Sequence, residues 1–218
     1  MSMIADNLVG VIQVIEKPDS VSYDEIAEVL HDAHKSNLEK GMLFATASQT
    51  GDEIRGHIRG SGRFYIAVLE GEIVGVGAVR FQNIDMWFHR GFCADTISVG
   101  VKQAYKGLGI SKMLYRKLEE AAFEKCDIVI MNTAERNEIM INSRLHDGWI
   151  PVDYLSHAGI NFYSIMLAKW KYNCPYSSTH CATMFHLRKV RMKLIRDENG
   201  NDRLLTTILK RIVSNCPR

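Results

Sequence analysis

The 218 residues include only four prolines, five cysteines and three tryptophans. That scarcity excludes a proline-rich extended chain and a small disulfide-stapled scaffold. Cys93, Cys126, Cys174, Cys181 and Cys216 are odd in number, irregular in spacing and form no C-x-x-C pair, the usage of reduced thiols in a cytosol. Cys174, His180, Cys181 and His186 crowd into 13 residues but lack the short, paired spacings of a zinc site, so no metal is expected. Long apolar runs are absent too: none reaches the roughly 18 residues that span a bilayer. The opening segment carries acids where a signal peptide needs basic residues and a greasy stretch. A soluble, non-secreted, cytoplasmic protein without membrane contact is the expectation.

What is present is ordinary globular composition, 46% apolar and 24% charged with mean hydropathy −0.10. A chain of this length buries roughly 70% of its unfolded surface and needs no staple. The net charge of +2 hides an asymmetry, because residues 171–218 hold ten Lys and Arg against three Asp and Glu while residues 1–170 hold 17 against 22. The expected organisation is a body, 1–170, followed by a basic extension, 171–218. In the extension the cations alternate with apolar residues and no nucleic-acid motif is present, so it reads as a packed appendage, without nucleic acid as partner.

The spacing of apolar residues predicts a strand over 9–17 ended by Pro18, then a helix opened by the capping-box pair Ser22 and Glu25 and ended at Gly41. A short helix over 50–59, a hairpin of strands 63–69 and 72–81, and a strand over 95–101 follow. A helix through Met113 to Ala122, a strand over 127–132, a helix over 137–147 and two closing strands, 149–154 and 162–168, complete the body. The order predicts a mixed α+β fold with one sheet and helices on both faces. In the tail, periodicity does not choose between strand and helix around 184–195. Asp197 to Asp202 reads as a loop and Leu204 to Val213 as a terminal amphipathic helix able to pack on the body or on a second copy as a homodimer.

The most informative stretch is ISVGVKQAYKGLGISKMLYRKLEEA, 97–121, a strand running into a turn with Gly107 and Gly109 that opens directly into a helix. Glycine there lets backbone approach a ligand, and the first-turn N–H groups of the helix make an anion site suited to a pyrophosphate. It is neither a P-loop nor a dinucleotide fingerprint, since Lys112 stands where the third glycine belongs. The segment resembles motif A of the GNAT superfamily of acetyl-coenzyme A dependent N-acyltransferases, R/Q-x-x-G-x-G/A, with Lys106, Gly109 and Ser111 in its three places. Asn137 and the Gly148-Trp149 pair match, at equal spacing, the family's N-x-x-A-x-x-x-Y-x-x-x-G-F segment, and the element order over 9–168 also follows the family.

The resemblance implies a mixed, mostly antiparallel sheet of about seven strands flanked by about four helices. Its cofactor, acetyl-CoA, would pair its pantetheine arm with Val99, Gly100 and Val101. The backbone of Gly107, Leu108, Gly109, Ile110 and Ser111 would hold the pyrophosphate, Lys106 would add charge, and Asn137 would hydrogen-bond the pantetheine. Acyl transfer to a small-molecule amine then needs a base, an oxyanion donor and an acid. Asp95 stands where relatives carry a basic carboxylate, the alternative being a carboxylate solvated at a loop. The oxyanion donor would be the N–H of Val99 or its neighbour. The family's acid, a tyrosine, falls at Arg144, which cannot give up a proton; Arg144 could stabilise a thiolate, bind phosphate or line the helix surface, and Tyr163 or Tyr154 could be the acid. His34, Lys35, Asn37 and Lys40, with Ser156, His157 and Asn161, are polar enough to read an amino sugar, amino acid or polyamine. The stretches HDAHKSNLEKG and HAGINFYSIMLAKW look like a bacterial subgroup. A coenzyme A-binding module without turnover and a synthase using a longer acyl donor are the alternatives.

Overall fold

The computed structural model describes residues 12–42, 44–58, 60, 62–156 and 162–196. The expected strand start at Val9, His157 and Asn161, the 197–202 loop, the helix over 204–213 with its dimer contact, and Cys216 lie outside the described residues.

The elements are β1 (Gln13–Glu16), α1 (Tyr23–Glu39), α2 (Gly51–Gly56), β2 (Arg63–Leu69), β3 (Glu72–Met86), β4 (His89–Val101), α3 (Ile110–Phe123), β5 (Ile128–Ala134), α4 (Glu138–His146), β6 (Ile150–Ser156), β7 (Tyr163–Trp170) and α5 (Ser178–Arg196). The fold is α+β, with seven strands in the order β1-β2-β3-β4-β5-β7-β6; the β1/β2, β2/β3, β3/β4 and β6/β7 ladders are antiparallel and β4/β5 is parallel. The chain divides into two units, 1–132 with 169–173 and 133–168 with 174–218.

In the first unit α1 starts where its sequence says: the Ser22 side chain accepts from the Glu25 N–H while the Glu25 carboxylate accepts from the Ser22 N–H. Thr50 and Glu53 repeat this capping box at α2. Ile26, Val29 and Leu30 of α1 and Ile54 of α2 pack with Phe64, Ile66, Val76 and Ala78 into a dry core on one face of β2 and β3. Gly75 and Gly77 open the opposite face to Ile110, Leu114 and Leu118 of α3: a Cβ at Gly77 would lie 3.0 Å from Leu118 Cδ1. The hairpin of β3 and β4 is longer than the sequence predicts, paired out to Met86 and His89. Phe81 and Phe92 stack across it at 5.9 Å, a cross-strand aromatic pair that supports the extra length.

In the second unit Asn137 caps α4 by accepting from the Met140 N–H, and Gly148, at φ 83°, ends the helix with the Trp149 N–H on the Arg144 carbonyl. The tail segment that periodicity left open is helical, α5. It packs on β6: Arg188 is ion-paired with the buried Asp153, Phe185 meets the Tyr154 ring edge-on at 6.2 Å, and Lys189 sits 5.6 Å over that ring.

Candidate active site

The β3/β4 ladder breaks at one place. Val76 faces Gly100 and Ala78 faces Ile97, so Ser98 and Val99 together stand opposite Gly77 as a β-bulge. Ser98 takes the left-handed conformation, φ 52°, unusual for a residue with a side chain. The parallel pairing of β4 to β5 runs through Ala94, Asp95 and Thr96, whereas β4 itself continues to Val101. The end of β4 therefore extends past its ladder with β5, and Val99, Gly100 and Val101 lie on that segment. Gly100 is there because α1 crosses close by: a Cβ would come within 2.8 Å of Ala33 Cβ.

After Val101 the chain makes a 3-10 turn, Gln103–Tyr105, and enters α3. The Gln103 N–H donates to Asp32 Oδ2 at 2.6 Å and its side-chain amide to the Asp32 and Ala33 carbonyls, which ties the turn to α1. Gly107 and Gly109 have φ of 86° and 77°, and a Cβ at either would meet nothing within 4 Å. These glycines answer to backbone conformation and to open space in front of them, not to packing. Gly109 is the N-cap of α3 and supplies no capping side chain; its carbonyl accepts from the Lys112 and Met113 N–H groups, and the N–H groups of Ile110 and Ser111, at the very start of the helix, have no acceptor within it. The exposed turn fits a pyrophosphate. Lys106 Nζ donates to the Ala33 carbonyl at 2.9 Å; partial burial lowers its pKa.

Asp95 is buried on the α1/α2 side of the sheet. Arg80 holds its Oδ2 through Nη2 at 2.8 Å and Nε at 3.1 Å, and the Gln82 amide adds a third bond at 3.2 Å. Oδ1 is buried without a hydrogen-bond partner. Burial raises the Asp95 pKa against the lowering effect of Arg80. It is thus a buried β4 carboxylate bound to Arg80 and Gln82 of β3, and the solvated-loop alternative does not hold.

Beside it lies a polar group that sequence reasoning missed. His57 Nδ1 is 3.4 Å from Ser98 Oγ, and His57 Nε2 is 3.1 Å from the Gln49 amide nitrogen. The Gln49 carbonyl meets His31 Nε2 at 2.9 Å, and Gln49 Oε1 is buried without a partner. Burial and Arg80 lower the His57 pKa. No local signal marks the bulge in DTISVGV, and a histidine at the end of a six-residue helix resembles any surface histidine. His34, expected on the acceptor side, stacks on Phe44 at 4.9 Å and meets the Asn37 amide at 3.3 Å; burial drives its pKa down to about 4.

In the second unit Asn137 also donates to Thr133 Oγ1 at 3.3 Å. Arg144 is buried rather than lining the helix surface, and pairs with Asp147 at 2.9 Å. Tyr163 stacks on Tyr154 with ring centroids 5.0 Å apart, and the Tyr154 hydroxyl donates to Glu135; burial, and then that bond, raise its pKa. Among the described residues no helix is long and apolar enough to cross a membrane, and no cluster of His, Cys, Asp and Glu could hold a metal ion.

The first unit thus holds a bulged strand that continues past its ladder with a parallel partner and leads into a glycine-capped helix. A profile of the acetyltransferase (GNAT) family matches residues 23–143, more than half of the chain, and the protein belongs to that family. Solved structures share the fold. A GNAT-family acetyltransferase from Staphylococcus aureus Mu50 is 17% identical, covering 74% of this chain and 99% of its own, with TM-score 0.56. One from Elizabethkingia anophelis with acetyl-CoA bound is 15% identical, covering 73% and 98%, with TM-score 0.52. Arabidopsis thaliana NAA60 in complex with a bisubstrate analogue is 15% identical, covering 73% and 100%, with TM-score 0.55. No curated protein sequence matches this one. The protein is an acetyltransferase whose family uses acetyl-CoA and acts on amine acceptors.

Proposed function

We propose that the enzyme moves an acetyl group from acetyl-CoA to a primary amine of a small molecule, an amino sugar, amino acid or polyamine, by direct attack in a ternary complex. The observation that carries this is the end of β4: a strand segment beyond its parallel partner, bulged at Ser98 and Val99, leading into the αL glycine cap of α3. Val99, Gly100 and Val101 offer backbone to a pantetheine arm, and the N–H groups from Gly107 through Leu108, Gly109 and Ile110 to Ser111 offer donors to the pyrophosphate. Lys106 adds positive potential from its tether on Ala33. The cofactor supplies an activated acyl group as a thioester.

The bulge removes one N–H of Ser98 or Val99 from the ladder, and such a donor is what the developing oxyanion requires. Asp95, with no exposed oxygen, acts here through Arg80 and Gln82, which it fixes on the acceptor side of the sheet. Tyr163 is kept as the acid, Asn137 as a pantetheine ligand and Arg144 as the cation that sets the end of α4. The body, 1–170, carries the site, and within the basic extension, 171–218, α5 buttresses β6. Calorimetric titration with acetyl-CoA, followed by free-thiol release over a panel of amino sugars, amino acids and polyamines, tests this. Micromolar binding with amine-dependent thiol release is expected; binding without release by any amine would overturn it.

A further inference from the structure

From the geometry around the bulge we propose that Ser98, His57 and Gln49 form the proton relay that deprotonates the acceptor amine, with Ser98 Oγ as the atom the amine meets. This rests on the acetyltransferase reading above. Three observations carry it. Ser98 is half-buried and held at φ 52°, a left-handed conformation that costs energy for any residue but glycine and that aims its hydroxyl at the face carrying Asp95 and Arg80. His57 Nδ1 lies 3.4 Å from that hydroxyl. On the far side of the ring, Gln49 presents its amide nitrogen to Nε2 at 3.1 Å while its own Oε1 is buried with no partner.

An amide can serve either protonation state of a ring nitrogen. With Gln49 as observed, the amide donates to Nε2, so the ring proton is on Nδ1 and points at Ser98. Turned by half a revolution, the amide puts Oε1 against Nε2. Nε2 then carries the proton and Nδ1 is free to accept from the Ser98 hydroxyl, which is the tautomer a base needs. The same turned amide also holds the imidazolium once Nδ1 is protonated. The acceptor nitrogen bonds to the acyl carbon as the carbon–sulfur bond breaks and the thiolate takes its proton from the acid; the amine's proton passes to Ser98 Oγ and the Ser98 proton to His57 Nδ1, which later releases it to water.

Asp95 fits this role less well. Its one hydrogen-bonded oxygen is committed to Arg80 and Gln82, and the other faces the interior. The groups facing His57 are Ser98 from β4, Arg80 from β3, Gln49 from the loop before α2, and Glu53 from α2 itself. Burial and Arg80 hold the imidazole neutral below its usual range and outweigh Glu53, so the base form persists at neutral pH.

The test uses the intact chain with two variants. Ser98→Gly removes the hydroxyl where glycine is the residue the backbone prefers, so it should leave thermal stability unchanged or raised. His57→Gln keeps a polar side chain. In the chain without ligands, nitrogen NMR of the labelled histidines should show His57 titrating below the usual histidine value and its tautomer ratio changing in Ser98→Gly. With acetyl-CoA and whichever panel amine the unaltered enzyme uses fastest, both variants should lose about a hundredfold or more in kcat/KM, the range of a positioned base. The acetyl-CoA Kd should stay within about twofold, and the acid limb of the pH profile should vanish in His57→Gln. Wild-type kcat/KM with an unmoved acid limb in either variant would overturn the relay. Absence of thiol release by the unaltered enzyme would overturn the acetyltransferase reading, and the relay with it.

Discussion

Replacing Gly109 separates what the helix cap does for the fold from what it does for the ligand. Gly109 sits at φ 77° with nothing within 4 Å of where a Cβ would stand. Gly109→Ala therefore carries a conformational penalty of about 1–2 kcal/mol and no packing clash. At roughly 2–4 °C per kcal/mol for a chain of this size, Tm should fall by about 2–8 °C. Gly109→Glu carries the same strain, so its Tm should fall equally. Its carboxylate, however, would stand in front of the first turn of α3, where the pyrophosphate is proposed to bind. Two like charges about 4 Å apart repel by about 1 kcal/mol in water and about 4 kcal/mol near a protein surface. Gly109 is exposed, so the loss of coenzyme A affinity should lie between about fivefold and a thousandfold. Calorimetric titration with coenzyme A and with pantetheine, which lacks the pyrophosphate, supplies the control. Gly109→Glu should weaken the first and leave the second alone. Equal coenzyme A affinity in Gly109→Glu and the parent would refute the cradle, whatever the melting temperatures show.

Three further outcomes follow from titratable groups. Burial raises the folded-state pKa of Asp95, so the parent should lose stability as pH rises from near 3.8 through that raised value. Asp95→Asn should lack that loss in chemical denaturation run across the same pH range. His34 behaves oppositely: its folded pKa near 4 against 6.5 unfolded means stability is full above the unfolded value and falls as pH drops from 6.5 to 4, by roughly 3 kcal/mol at most. A His34→Gln variant whose stability fell just as steeply over that window would remove His34 as the cause. Finally, Arg188→Ala leaves the buried Asp153 carboxylate without its cation and should cost about 2–4 kcal/mol, measurable by urea denaturation at pH 7, where Arg188→Lys should restore part of it.

How much of this was legible in the sequence depended on how local each cause is. The capping box at Ser22 and the turn glycines at 107, 109 and 148 are encoded within a few residues, and they stand where the sequence put them; the second capping box, at Thr50, is equally local and went unread. The length of the β3/β4 hairpin was underestimated because residues 82–94 are held by cross-strand pairs such as Phe81 with Phe92, which no single segment reveals. The helix over 178–196 was undecided for a similar reason: its apolar residues are spaced ambiguously, and its contacts are with β6, some thirty residues upstream by the Arg188 to Asp153 separation of 35. Within the site, the glycine cradle was readable. The bulge was not, because it is a mismatch of register between two strands, and His57 acquires meaning only by standing 3.4 Å from it.

The face of the sheet that carries α1 and α2 changes character along β3 and β4. At Val76, Ala78 and Ile97 it is dry core; two residues on, at Arg80 and Asp95, it is a buried carboxylate with a guanidinium only partly shielded from water. A fold selected for stability alone would continue the apolar row, since well-packed hydrophobic residues commonly match or exceed a buried ion pair. Instead it accepts an unpartnered Oδ1 on Asp95, an unpartnered Oε1 on Gln49 and a left-handed Ser98, all in the first unit and all on the α1/α2 side of β4. Each is costly by itself, and their convergence next to the end of the β4/β5 ladder is what a reaction centre requires: fixed dipoles, a polarisable relay and a strand edge without its neighbour. On the function proposed above, strain and unsatisfied polarity on this face serve catalysis, while the glycine turn that follows serves binding.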